Sequence, residues 1–319
     1  MPDRRMALIV GIDEYPTSPL SGCVNDAKAM EALLKEHADG SPNFDVRLVI
    51  APGTTITRAS LRKNISDLFE MADCDVALLY FSGHGTENNL GGYLVTPDAM
   101  RYDEGVNLAE VLTMANNSPA RERIIILDSC MSGAFGQVPA SGSDAASLPE
   151  GVSILTASRA GQVSVESGGR GVFSELVCGA LEGGAADVLG DVTAASVYSY
   201  VEQALGPWDQ RPLFKAHLSK VEPLRRAAPA VPLDVLRLLP SWFSIADSEY
   251  PLDPTYEDQV PGFDPKNVAI FKKLQKCRDA KLVEAVDEEF LYFAAINSKA
   301  CRLTPLGKHY WRLAQAGRI

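Results

Sequence analysis

The chain has 319 residues, of which 46% are hydrophobic and 22% charged, and its formal net charge is −11. That length suits two domains, or one large domain with an appendage, and the balance is that of a folded globular protein. A collagen-like fibre, a long disordered chain and a disulfide scaffold are excluded, and no apolar run approaches the ~18 residues of a bilayer span.

Met6 to Val10 form a short apolar run ending in Gly11, which reads as a buried strand. The basic residues before it imitate a secretory signal, but Asp13 and Glu14 interrupt the run and no small-residue cleavage site follows. From Val24 to His37 the spacing is helical, with Ala27, Met30, Leu33 and Leu34 on one face and Asn25 or Ser21 as candidate caps. Residues 45–50 alternate as a strand, and Thr57 to Met71 is again helical. Apolar runs at 75–81, 123–127 and 152–156 add three strands. Helices follow at 172–182 and 193–205, and QRPLF at 210–214 is a final strand. Near-continuous apolar strands separated by amphipathic helices predict an α/β fold, with a mostly parallel sheet flanked by helices on both faces.

This first domain is expected to span 1–221. Eight prolines between Pro223 and Pro265 mark 222–265 as a linker. Residues 266–319 predict a small α+β domain, whose helix–hairpin–helix pattern is winged-helix-like. EEFLYFAAI is read there as a strand, and Pro305 sits in the first turn of a closing helix. From Lys266 to Ile319 there are eleven Lys and Arg against five Asp and Glu, a net +6, which leaves −17 on the rest. An acidic body with a basic tail suggests two functions.

Six cysteines, Cys23, Cys74, Cys130, Cys178, Cys277 and Cys301, form no CxxC pair and none adjoins a histidine, so no metal site is expected. They read as reduced thiols of a cytoplasmic protein. Cys130 stands apart from the others. It follows an apolar strand and opens the polar loop DSCMSGAFG, whereas a structural cysteine would lie inside the strand. His84, framed by glycines in YFSGHGT, likewise follows a strand. Carboxyl ends of parallel strands are where α/β sheets place their chemistry. A thiolate at Cys130 attacks a carbonyl, and an imidazole at His84 moves the proton.

ALIVGIDEYP, LSGCVNDAKAMEALL, ALLYFSGHGT, GGYLVTPD and IIILDSCMSGAFG resemble the caspase-like cysteine peptidases, most closely the metacaspase and bacterial caspase-homologue branch. VSILTASRAGQVSVE, GVFSELVCGALEGGAAD and QRPLF resemble that family's smaller catalytic segment. The resemblance covers about residues 6–216. It implies His84 as general acid/base, Cys130 as nucleophile, and backbone N–H groups of Gly85 and Cys130 as the oxyanion hole. It also implies a specificity pocket of Cys23, Asp26, Ser82 and Asp128. Two carboxylates in one pocket want a cation, so cleavage of protein substrates after Arg or Lys is expected. One departure is Met131, where metacaspases usually have His. The loop 137–150 lacks Lys and Arg, which leaves Arg159 and Arg170 as the nearer self-cleavage candidates. Many metacaspases are calcium-activated. Asp73 with Asp75, or Asp187 with Asp191, could be claimed for that ion, but calcium-loop spacing is absent and a solvated acidic surface is the plainer reading.

The tail offers several partners. Lys272, Lys273, Lys276, Arg278 and Lys281 could contact the phosphates of nucleic acid. Arg302, Lys308 and Arg312 could hold a small anionic signal such as a nucleotide, with Tyr310 and Trp311 for stacking. An activator protein is the third option, and a solvated basic face with Trp311 in the core is the plainest. Bacterial caspase homologues with an appended domain resemble latent effectors of anti-phage defence. The competing readings are a catalytically silent scaffold and a DNA-binding regulator.

Overall fold

The structure, a computed structural model, describes residues 4–129, 148–157, 166–167, 169–205, 212–217 and 222–319. The chain divides into two compact units: Met1–Ala186 with Asp191–Ala227, and Asp187–Gly190 with Ala228–Ile319.

The first unit opens with β1 (Arg5–Ile12), α1 (Cys23–Lys35), β2 (Asp45–Ala51), α2 (Arg58–Phe69) and β3 (Val76–Ser82). An antiparallel meander of β4 (Gly85–Asn88), β5 (Gly91–Met100) and β6 (Asp103–Asn107) follows, then α3 (Leu108–Asn117), β7 (Glu122–Asp128) and β8 (Val152–Thr156). The two-residue strands β9 (Glu166–Ser167) and β10 (Arg170–Gly171) pair antiparallel and lead into α4 (Val172–Gly179). The unit closes with β11 (Asp191–Val192), α5 (Ala194–Leu205), β12 (Leu213–His217) and β13 (Arg225–Arg226).

The central sheet has the order β12-β8-β7-β3-β1-β2. All its pairs are parallel except β12 with β8. Side chains alternate across the pleat, so one strand feeds two cores. Leu8, Val10 and Ile12 of β1 join Leu61 and Ile65 of α2 and Val111 of α3. Ala7 and Ile9 join Ala27 and Met30 of α1, Val177 of α4 and Val197 of α5. Helices on both faces explain why these strands are apolar throughout. The chain leaves β1 for β2 on one side and returns to β3 on the other, so a topological switch point lies between β1 and β3. The loops that follow these two strands flank a natural crevice.

Local signals set the helix starts unevenly. Thr57 and Ser60 exchange the two hydrogen bonds of a capping box on α2, worth about 1 kcal/mol. At α1 the expected caps Ser21 and Asn25 are not used, because Gly22 occupies the cap position. Asp13, in the loop after β1, instead accepts from the amides of Cys23 (2.8 Å) and Val24 (3.4 Å).

The second unit contains α6 (Leu233–Leu236), α7 (Leu239–Trp242), β14 (Glu249–Pro251), α8 (Pro265–Asp279), β15 (Val283–Val286), α9 (Leu291–Ile296), β16 (Ala300–Leu303) and α10 (Pro305–Gln315). Its sheet has the order β14-β16-β15 and is antiparallel. Two expectations change here. Much of the proline-rich stretch 222–265 is not a linker: Val231, Leu236, Leu239 and Phe243 lie in this unit's core. Pro232 precedes α6, while Pro240 and Pro265 sit in the first turns of α7 and α8, where a missing N–H costs nothing. EEFLYFAAI is not a strand either. Leu291, Ala294 and Ala295 are buried at helical spacing as α9, while Phe290, Tyr292 and Phe293 are exposed. The partner of β16 is therefore not EEFLYFAAI but β15, which lies before α9.

Candidate active site

His84 lies just beyond β3, next to the switch point, and its backbone is held on both sides. The Gly83 amide donates to the Asp128 carbonyl (3.2 Å), and the Val95 amide donates to the His84 carbonyl (3.0 Å). The His84 amide donates to the Tyr15 hydroxyl (3.0 Å), which in turn donates to the Val95 carbonyl (3.3 Å). The Tyr15 and His84 rings also pack, with centroids 4.6 Å apart. Burial raises the Tyr15 hydroxyl far above the usual phenol range, so it stays protonated and can donate. Gly83 makes this packing possible, since a Cβ there would stand 2.6 Å from the Tyr15 hydroxyl.

The imidazole Nε2 lies 2.6 Å from the Ser18 carbonyl. A carbonyl only accepts, so Nε2 carries the proton and, in the neutral ring, Nδ1 is left as the acceptor. Ser18 adopts φ 60°, a left-handed conformation uncommon outside glycine and asparagine. Its strained turn aims the carbonyl at His84. A cleft of about 320 Å³, lined among others by Tyr15, Ser18, His84, Thr86, Thr96 and Pro97, opens beside the ring.

Cys130 follows Ser129 at the end of β7, the strand paired with β3, but it lies outside the described residues. So do its oxyanion amide, Met131, Arg159 and most of the loop 137–150. Gly85, the other oxyanion candidate, is the first residue of β4.

The four proposed pocket residues fall close together. Ser82 and Asp128 are register partners at the carboxyl ends of β3 and β7. Cys23 and Asp26 lie in the first turn of α1. Gly11 allows that helix to approach β1, because a Cβ there would stand 2.4 Å from the Cys23 carbonyl oxygen. All four side chains are buried. The two carboxylates converge on Gly171: a Cβ there would lie 2.4 Å from Asp128 Oδ2 and 3.1 Å from Asp26 Oδ2. Both also receive donors from the start of α4, which favours negative charge. The Gly171 amide donates to Asp26 Oδ2 (2.8 Å). The Ser174 hydroxyl (2.6 Å) and amide (3.3 Å) donate to Asp128 Oδ2.

Three further contributors escaped the sequence reading. Ser174 links Asp128 to the Tyr80 hydroxyl, 2.5 Å away and pushed far above its usual pKa by burial. Ser18 acts through its carbonyl, which no residue type signals. Arg170, considered only as a cleavage point, donates from Nε to Asp26 Oδ1 (3.0 Å) and from Nη2 to Cys178 Sγ (3.2 Å). Burial pushes the Cys178 thiol up to about 11, so it is neutral beside that cation.

Three of the four aspartates considered for calcium have local partners. Asp75 accepts from the Arg4 amide and faces Arg121. Asp187 caps its own turn and Asp191 pairs with Arg226. Among the described residues no group of three or more His, Cys, Asp or Glu converges as a metal site.

In the second unit, Arg302 and Lys308 line one cavity of about 350 Å³, together with Asp247, Glu249 and Glu284. Arg302 pairs with Glu284 (2.7 Å) and Lys308 with Asp247, so three carboxylates meet two cations. Arg312 donates to the Lys308 carbonyl one turn along α10. Tyr310 and Trp311 are buried, with the Trp311 indole donating to the Phe243 carbonyl, which removes both as stacking surfaces. Lys272 pairs with Asp258, while Arg278 lies over the Phe290 ring.

A family model described as the caspase domain matches residues 4–221. No curated protein matches the chain. Among solved structures, caspase-1 from Spodoptera frugiperda is similar at TM-score 0.51 and 16% identity, covering 70% of this chain and 91% of that one. Protein GSU0716 from Geobacter sulfurreducens is similar at TM-score 0.50 and 16% identity, covering 71% and 98%. At that identity the two neighbours speak for the fold alone. The matched model spans most of the chain, including the segments that carry His84 and Cys130, and the chain belongs to the caspase-domain family of cysteine peptidases.

Proposed function

We propose that the protein is a cysteine endopeptidase that cleaves after Arg or Lys. The observation that carries this reading is the pair of buried carboxylates, Asp26 and Asp128, converging beside β3 and β7, with a guanidinium already seated on one of them. Cys130 attacks the substrate carbonyl as a thiolate. Nδ1 of His84 receives the thiol proton and returns it to the leaving amine, while the Ser18 carbonyl holds the ring in the required tautomer. The amides of Gly85 and Cys130 stabilise the tetrahedral oxyanion. The substrate cation is held by Asp26 and Asp128, with Cys23 and Ser82 beside them. Arg is favoured over Lys because its planar fork matches carboxylate geometry.

An unregulated protease of this kind would damage its own cell. The appended unit supports a latent enzyme, switched on by a signal or partner acting there, and the resemblance extends this to an effector of bacterial anti-phage defence. The mixed charge around Arg302 and Lys308 favours a partner protein over a small anion as that trigger.

The test is hydrolysis of fluorogenic peptides ending in Arg, Lys or Asp by wild type and Cys130→Ala, with and without calcium and extracts of phage-infected cells. Arg cleavage lost by at least about 1,000-fold in the variant is the expected result. Asp cleavage would overturn the acidic-pocket reading. Silence under every condition would favour the scaffold reading.

A further inference from the structure

The guanidinium on Asp26 belongs to the protein itself. Asp26 is 1% exposed and Arg170 30%, so the pair is sunk on the carboxylate side and open on the arginine side. The two residues lie 144 positions apart, and the fold alone brings them together. Gly171, the next residue, separately donates its amide to the other Asp26 oxygen. The carboxylate therefore keeps an orienting hydrogen bond whether or not the Arg170 side chain is in place. Arg170 itself belongs to a two-residue strand, and pairing this short contributes little by itself. Its contact with Cys178 is to a neutral thiol, a weak acceptor.

We propose that Arg170 is an internal occupant of the specificity site, seated where the cation of an arginyl substrate binds, so that substrate must displace it. The proposal rests on the arginine reading above and adds a residue that sets the site's apparent affinity. One Asp26 carboxylate, with one oxygen already on the Gly171 amide, cannot give a second guanidinium a full partner. Arg170 competes as a tethered ligand, and tethering at short range corresponds to an effective concentration of order millimolar. Substrate affinity is reduced by the fraction of molecules in which the site is occupied. Any event that swings the Arg170 side chain off Asp26 while leaving the Gly171 amide in place would open the site without altering the catalytic pair.

The direct test is binding of agmatine, a small guanidinium, by calorimetry to the full chain and to Arg170→Ala and Arg170→Gln. The glutamine variant keeps a neutral donor near Asp26 in case the alanine variant folds poorly. Agmatine binding about tenfold tighter in the variants is expected, with KM for an arginyl peptide lowered to match and kcat changed less than about twofold. Weaker binding and higher KM in both variants would make Arg170 a brace for Asp26 and overturn the proposal. Equal binding in wild type and variants, abolished by Asp26→Asn, would leave the arginine reading standing and overturn only the occupancy. Absence of agmatine binding in every form, with cleavage after another residue type, would overturn both.

Discussion

Both units carry paired charges, but in different settings. In the peptidase unit, Asp26 and Asp128 are buried at the carboxyl edge of the sheet, and their partners come from β10 and α4. In the second unit, Arg302 pairs with Glu284 with side chains 53% and 47% exposed, and the partners come from neighbouring strands. Burial decides what such pairs weigh. Water screens the exposed pair, whereas a buried carboxylate that loses a donor carries its full desolvation cost. The basic character of the tail is thus a poor guide to its function, while two acids hidden in an acidic body are an informative one.

Three substitutions sharpen this contrast. Gly83→Ala drives a methyl group toward the Tyr15 hydroxyl and the Phe81 ring, and so displaces the groups that hold the His84 backbone. A shift of about 1 Å at the base lowers kcat/KM by about 100-fold, measured on the arginyl peptide. A change below about fivefold would mean that Tyr15 does not position His84. Ser174→Ala removes a hydroxyl that lies fully buried between Tyr80 and Asp128. The expected loss is about 1–3 kcal/mol in denaturant unfolding. No measurable loss would show that the two remaining groups find each other. Glu284→Gln breaks the exposed Arg302 pair and should leave the unfolding midpoint within error of wild type by the same measurement. A measurable drop would place that cavity on the buried side of the comparison.

The legible parts of the site were those that residue type and local pattern encode. His84 between glycines and Cys130 opening a polar loop stand out because a buried strand gives no reason for either at its end. Asp26 and Asp128 could be paired in advance only through the resemblance, since they lie on different elements, α1 and β7. Ser18 was invisible because it works through a backbone carbonyl. Tyr15 was invisible because its hydroxyl acts on the amide of a residue 69 positions away. The prolines of 222–265 misled because the same residue that breaks a helix interior also begins a helix well, and composition does not say which. EEFLYFAAI misled because its apolar density suits a strand, while the spacing of Leu291, Ala294 and Ala295 suits a helix.

By itself the sequence determined the strands of the central sheet, the helices α1, α2, α4 and α5 and their layering, and it singled out His84 and Cys130 as the candidate pair, while the β4–β6 meander and α3 left no signal that was read. Apolar periodicity, caps and polar strand ends act over a few residues, and they leave a local record. The tertiary structure decided which proton His84 keeps, how Asp128 is braced and which cation sits on Asp26. Those outcomes depend on distances between residues far apart in the chain, and only packing the sheet and its helices sets them.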